Sequence, residues 1–183
     1  MSDSSQTIVD VEVVVPEQAA RLARSVLAWL VQERIVEPEA SDCVLGPEDE
    51  GHRPGATHRS ATEGKVAVPR LQANGVALVV GRQVFDAGGN GLELRCAGCK
   101  HTFEPADEWF EAVGAWAEGD DAAQFACPKC NLAEPLPAWR GPSQWGFGSL
   151  GVRFWNWPPL SDAFIRAVTE QLGHETVLVR GRI

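Results

Sequence analysis

The chain has 183 residues, 44% of them apolar, and a formal net charge of −9. That length suits one generous domain, or one domain with an insertion, with enough apolar residues to bury a core. No apolar run reaches the length that crosses a bilayer, and the acidic balance argues against a partner whose affinity comes from phosphates.

The first residues, Met1-Ser-Asp-Ser-Ser-Gln, lack the basic and apolar regions of a secretory signal, so a cytoplasmic protein is expected. Residues 8–15 alternate, with Val9, Val11, Val13 and Val15 on one side and Asp10 and Glu12 on the other, which predicts a half-buried strand. Pro16 and Glu17 open a helix to about Glu33, with Leu22, Val26 and Leu30 as its apolar stripe. Residues 42–45 suggest a short second strand, within which Cys43 reads as a small buried thiol. Residues 46–65 are polar and rich in Gly and Pro; they read as a loop in which His52, His58 and the acidic run Glu48-Asp49-Glu50 are solvated.

Residues 76–80 and 83–85 read as strand, joined through Gly81, and 87–91 as a turn. Residues 92–95 then lead into Cys96-Ala-Gly-Cys99, and 124–126 lead into Cys127-Pro-Lys-Cys130. Between the two pairs, Pro105 to Trp116 predicts a helix with Trp109, Val113 and Trp116 on one face. Further on, 150–157 reads as a strand with Leu150, Val152 and Phe154 on one side and Gly151, Arg153, Trp155 and Trp157 on the other. Ser161 caps a helix carrying Phe164, Ile165, Val168 and Leu172, Gly173 ends it, and 176–179 is the last strand.

The two CxxC pairs carry the strongest chemistry. Each places two thiols on one tight turn, and two such turns close a tetrahedron around a dication that prefers sulfur, Zn²⁺ above all. One pair alone would also suit a redox couple; two are better explained by a shared metal. Protein would fill all four positions, so Cys96, Cys99, Cys127 and Cys130 are expected to hold structural Zn²⁺. His101 is expected beside the centre or exposed. These residues resemble zinc-ribbon or zinc-knuckle modules over about 92–132, and the resemblance implies the same structural role for the four cysteines. It implies no single function, because such modules serve nucleic-acid binding, protein contact or bracing.

Charge narrows the choice. Residues 91–131 carry three Lys/Arg against eight Asp/Glu, a net −5, whereas 132–183 carry five against four, a net +1. Four thiolates around one dication would add two further negative charges to the acidic segment. That segment lacks the basic footprint of a nucleic-acid binder and suits a basic protein partner. Arg153, Trp155 and Trp157 form a candidate partner-binding patch, since Trp and Arg dominate binding hot spots. The alternative for these rings is packing between the zinc module and the sheet.

No metalloprotease, phosphate-loop or nucleophile-elbow motif is present. His174 and Glu175 read as a surface turn. The expected fold is α+β: a ferredoxin-like (split βαβ) sandwich from residues 1–91 and 133–183, with 92–132 as a zinc-ribbon insertion. The expected function is a non-enzymatic zinc protein acting as a protein–protein interaction module, with a toxin-neutralising immunity protein as one concrete form. A nucleic-acid-associated ribbon using Arg140, Arg153, Arg166, Arg180 and Arg182 is the second reading, and an enzyme with a dispersed site the third.

Overall fold

The computed structural model describes residues 2–47 and 50–183, which form a mixed α+β structure. In chain order the strands are β1 (Ser4–Asp10), β2 (Val36–Ser41), β3 (Gly51–Pro54), β4 (Val76–Phe85), β5 (Leu94–Arg95), β6 (Thr102–Phe103), β7 (Gln124–Ala126), β8 (Ala133–Pro135), β9 (Gly146–Trp155) and β10 (Thr176–Arg182). The α-helices are α1 (Pro16–Gln32), α2 (Asp107–Ala117) and α3 (Asp162–Leu172). Six strands form one sheet in the order β10-β1-β9-β4-β3-β2, with its adjacent pairs antiparallel. No helix among the described residues is long and apolar enough to cross a membrane.

Helices α1 and α3 lie on one face of this sheet. Val26 and Leu30 of α1 and Phe164, Val168 and Leu172 of α3 pack with Ile8, Val76, Leu150, Val152 and Phe154. Ser161 caps α3 as its sequence requires, accepting the Phe164 N–H at 3.2 Å, and Gly173 ends it with a left-handed φ of 72°. The other face holds a smaller cluster of Val9, Val79, Phe85 and Val179. Gly151 is required there: a Cβ at that position would stand 2.5 Å from the Phe85 ring.

Three sequence expectations are corrected. The first strand is Ser4–Asp10 and stops where the valine alternation continues, because the backbone leaves the ladder there: Asp10 faces Thr176, the first residue of β10, and the Glu12 N–H turns back to the Asp10 carboxylate although β9 runs on past Leu150 to Gly146. Ile8, Val9 and Asp10 are all wholly buried, since β1 is central and covered on both faces, so alternation is a poor guide to it. Val13 and Val15, expected inside, are exposed. The second strand lies at Val36–Ser41, ahead of residues 42–45. The polar stretch 46–65 contributes β3, which hydrogen-bonds β2 and joins it to β4; Glu48 and Asp49, part of its acidic run, lie outside the described residues. Cys43 is wholly buried, as expected.

Strand β4 runs into β9 as the two central arms of a long hairpin, and everything from Asp86 to Trp145 is inserted between them. Trp109 and Trp116 of α2 fill the junction, packing with Phe147 of β9, Leu136 and Trp139. Gly81, at φ 117°, lies in the irregular stretch of β4, next to Arg82. The Arg82 guanidinium sits 3.9 Å over the Trp116 ring, its Nε donates to the Trp116 carbonyl at 2.7 Å, and Nη1 reaches Asp121 at 2.7 Å. A cation over an indole face, with charge-assisted bonds on either side, ties the inserted segment to the sheet.

Candidate metal centre

Each CxxC pair sits at the tip of a two-stranded hairpin, β5–β6 for Cys96 and Cys99, β7–β8 for Cys127 and Cys130. The two tips are built alike. The Cys96 N–H donates to the His101 carbonyl at 2.9 Å, and the Cys127 N–H to the Leu132 carbonyl at 2.9 Å. The Lys100 N–H returns to the Cys96 carbonyl at 3.1 Å, and the Asn131 N–H to that of Cys127 at 2.9 Å. The residue after each second cysteine, Lys100 and Asn131, takes the left-handed conformation at φ 61°. Asn tolerates that conformation readily; a lysine there costs more and is held by the hairpin around it. A Cβ on Gly98 would stand 3.0 Å from the end of the Leu132 side chain and 3.7 Å from the Cys96 sulfur, so a larger residue there would have to push Leu132 aside by a few tenths of an ångström.

The structure brings the four sulfurs together, all within 4.8 Å of one another. Cys96 and Cys130 are 3.6 Å apart and Cys99 and Cys127 3.7 Å apart, so each tip reaches across to the other. A tetrahedron of thiolates held about 2.3 Å from a central ion has edges of about 3.8 Å. These separations match that figure and are far beyond a disulfide bond, and all four thiols are free. Cys96 and Cys127 are buried, Cys99 is half-buried and Cys130 is exposed, so the cluster opens to solvent on one side.

The thiols do not share one acidity. Burial pushes Cys127 up, but hydrogen bonds from the backbone N–H groups of Cys130 and Lys129, with contacts from the Cys96 and Cys130 thiols, outweigh it and hold Cys127 at about 7. The Leu132 N–H pulls Cys130 down; loss of water and the neighbouring Cys96, Cys99 and Cys127 outweigh that and push it up to about 11. Crowding by its neighbours makes Cys130 resist a negative charge, and a dication among the sulfurs would remove that resistance.

An aromatic cluster supports the tips from below. Trp109 meets Phe125, Trp139, Trp145 and Phe147 edge-on at 5.4 to 6.4 Å. His101 lies stacked on Phe103 at 5.5 Å and is not among the clustered ligands. The expected loop histidines bind carbonyls: His52 Nδ1 donates to Glu37 and His58 Nδ1 to Gly55.

The patch Arg153, Trp155, Trp157 is not one face. Asn156, at φ 55°, turns the chain after β9, and Trp157 joins the helix-side core 5.2 Å from Phe154, its indole N–H donating to the Asn74 carbonyl. Trp155 and Trp157 are 4% and 5% exposed, which leaves little ring surface for a partner. Arg153 lies half-buried on the face away from α1 and α3, donating to Thr7 and lying 5.8 Å from the Phe85 and Trp155 rings. The five arginines of the second reading are dispersed, with Arg153 and Arg166 in layers on opposite sides of the sheet. Arg140 lies nearest the metal cluster; its carbonyl accepts the Arg95 N–H at 2.8 Å.

One pair escaped sequence reasoning. Asp10 is wholly buried, and its Oδ2 is 2.7 Å from Nδ1 of His174 while Oδ1 accepts the Glu12 N–H. His174 therefore anchors the turn between α3 and β10 to the end of β1. Adjacency to Gly173 gave a turn, but nothing in the spacing paired residues 164 positions apart. Comparison with protein-family models, with curated proteins and with solved structures finds no match.

Proposed function

We propose that this chain is a zinc protein in which Cys96, Cys99, Cys127 and Cys130 hold structural Zn²⁺, and that it acts as a non-enzymatic, cytoplasmic protein–protein interaction module. The observation that carries the zinc reading is the quartet of sulfurs within 4.8 Å of one another, with its two cross-tip pairs at 3.6 and 3.7 Å, close to a tetrahedral edge. Four sulfur ligands leave no open position for water or substrate, which favours bracing over catalysis. The order β10-β1-β9-β4, with α1 and α3 on one face, supports reading residues 1–91 and 133–183 as a ferredoxin-like split βαβ domain. Residues 92–132 would then be its zinc-ribbon insertion.

The acidic insert supports a basic protein as partner, and neutralisation of a basic toxin is one form of that role. The test is purification of the tagged, metal-loaded chain from its native cytosol at low and high salt. A protein retained at low salt and released at high salt is the expected result, because rim charges steer such complexes. Co-purification of nucleic acid, or of nothing, would overturn the interaction reading and leave the metal assignment standing.

A further inference from the structure

Strand β7 has one occupied edge and one open edge. Among the described residues its only strand neighbour is β8. The Cys127 N–H donates to Leu132, and the Ala123 carbonyl accepts the Leu136 N–H, so the odd-numbered residues face β8. Antiparallel ladders alternate, so the N–H and C=O of Gln124 and Ala126 point away from β8. Among the described residues, no neighbouring strand pairs with them on that side. Such an edge is a template for another strand.

A groove of about 540 Å³ runs along this edge. Phe103 and Phe125, with ring centres 6.3 Å apart, supply apolar lining, and Glu104 and Glu108 supply carboxylates. From Thr102 to Cys130 the sequence carries seven Asp/Glu and a single Lys. The edge is short, three residues, which limits open-ended pairing, but Gln-Phe-Ala carries neither a lysine nor a proline to repel or block an added strand.

Resting on the interaction reading above, we propose that this groove binds an extended segment of a partner protein, rich in Lys or Arg alternating with apolar residues, which adds as a strand to the open edge of β7. Backbone bonds to Gln124 and Ala126 would supply affinity. Period-two alternation would present apolar side chains to Phe103 and Phe125 and cations to Glu104 and Glu108.

The test uses the full, zinc-loaded chain and a short fluorescent peptide of alternating lysine and valine, with a glutamate–valine peptide as control. Anisotropy should show binding of the first peptide and not the second, weakening as salt rises. Ala126→Pro removes the outward N–H while leaving the β7–β8 bonds and the zinc content unchanged, and should weaken binding by about tenfold or more. Glu104→Gln with Glu108→Gln should weaken it and flatten its salt dependence. Absence of peptide binding, equal binding of both peptides, or indifference to Ala126→Pro would overturn the groove assignment. So would self-association of the chain that Ala126→Pro abolishes, which would give the edge to a second copy. A salt-sensitive partner still recovered from cytosol by the Ala126→Pro chain would sink the groove and spare the interaction reading; failure of the wild-type chain to recover any protein would sink that reading itself.

Discussion

Cys96 Sγ lies 3.6 Å from Cys130 Sγ although 34 residues separate them. The contact crosses from one hairpin tip to the other, and Cys99 makes the reciprocal contact with Cys127. Two short hairpins, of two and three residues per strand, cannot hold this register on their own strength. An ion bound between them couples its binding free energy to their folding.

Cys127→Ser should therefore lower metal content and loosen residues 92–132 before the six-stranded sheet. Hydrogen exchange with mass spectrometry reads this directly, with early exchange expected over the two hairpins and α2 and late exchange in β1 and β9. Full metal retention in the variant would contradict the assignment.

Metal uptake should depend on pH. At neutral pH Cys127 is about half ionised and Cys130, raised to about 11, is a thiol, so binding a dication displaces protons. Affinity measured against a chromogenic chelator should rise between pH 6 and 8, with proton release detectable in weakly buffered solution. In the metal-free protein the signs are opposite for the two thiols. The lowered pKa of Cys127 stabilises the fold above the ordinary 9.0, and that contribution is lost as pH falls through about 7. The raised value of Cys130 contributes stability below 9.0 that is lost as pH rises through about 11. The combined contribution of these two thiols should peak near pH 9 and vanish as a feature once metal is bound.

The Arg82 tie should be separable from the metal. Arg82→Met keeps the aliphatic length but loses the cation over Trp116, the bond to its carbonyl and the Asp121 pair. A loss of about 2 kcal/mol is expected, chiefly from the charge-assisted bond to the carbonyl, since the Asp121 end is exposed. Urea unfolding followed by tryptophan fluorescence measures it, and metal content should stay at the wild-type level.

The Asp10–His174 pair should respond asymmetrically. His174→Ala leaves a wholly buried carboxylate without its cationic or neutral N–H partner and should cost about 3 kcal/mol or more. Asp10→Ala leaves a histidine that is 22% exposed and reaches water, and should cost less. The double variant should lie well short of the sum, which chemical denaturation of all four proteins would show.

The legible parts of this chain were those with local causes. Helix α1 follows from Pro16 and an apolar stripe, α3 from a Ser161 cap and a Gly173 stop, and the metal cluster from two identical spacings. What escaped depends on partners distant in sequence. β1 is central and buried on both faces, so its valines misplace its end. β3 is held by pairing with β2 and β4 and has little apolar character of its own. Trp157 follows the turn at Asn156 instead of the strand period. The open edge of β7 is a property of topology that no three-residue segment announces.

Metal analysis of the purified full-length chain, isolated without added metal or chelator, bears most directly on the central claim. One zinc ion per chain, bound to four thiolates by X-ray absorption and lost together with the structure of residues 92–132 on chelation, is the predicted result. A folded chain with no stoichiometric metal, or with these cysteines paired as disulfides, would contradict it.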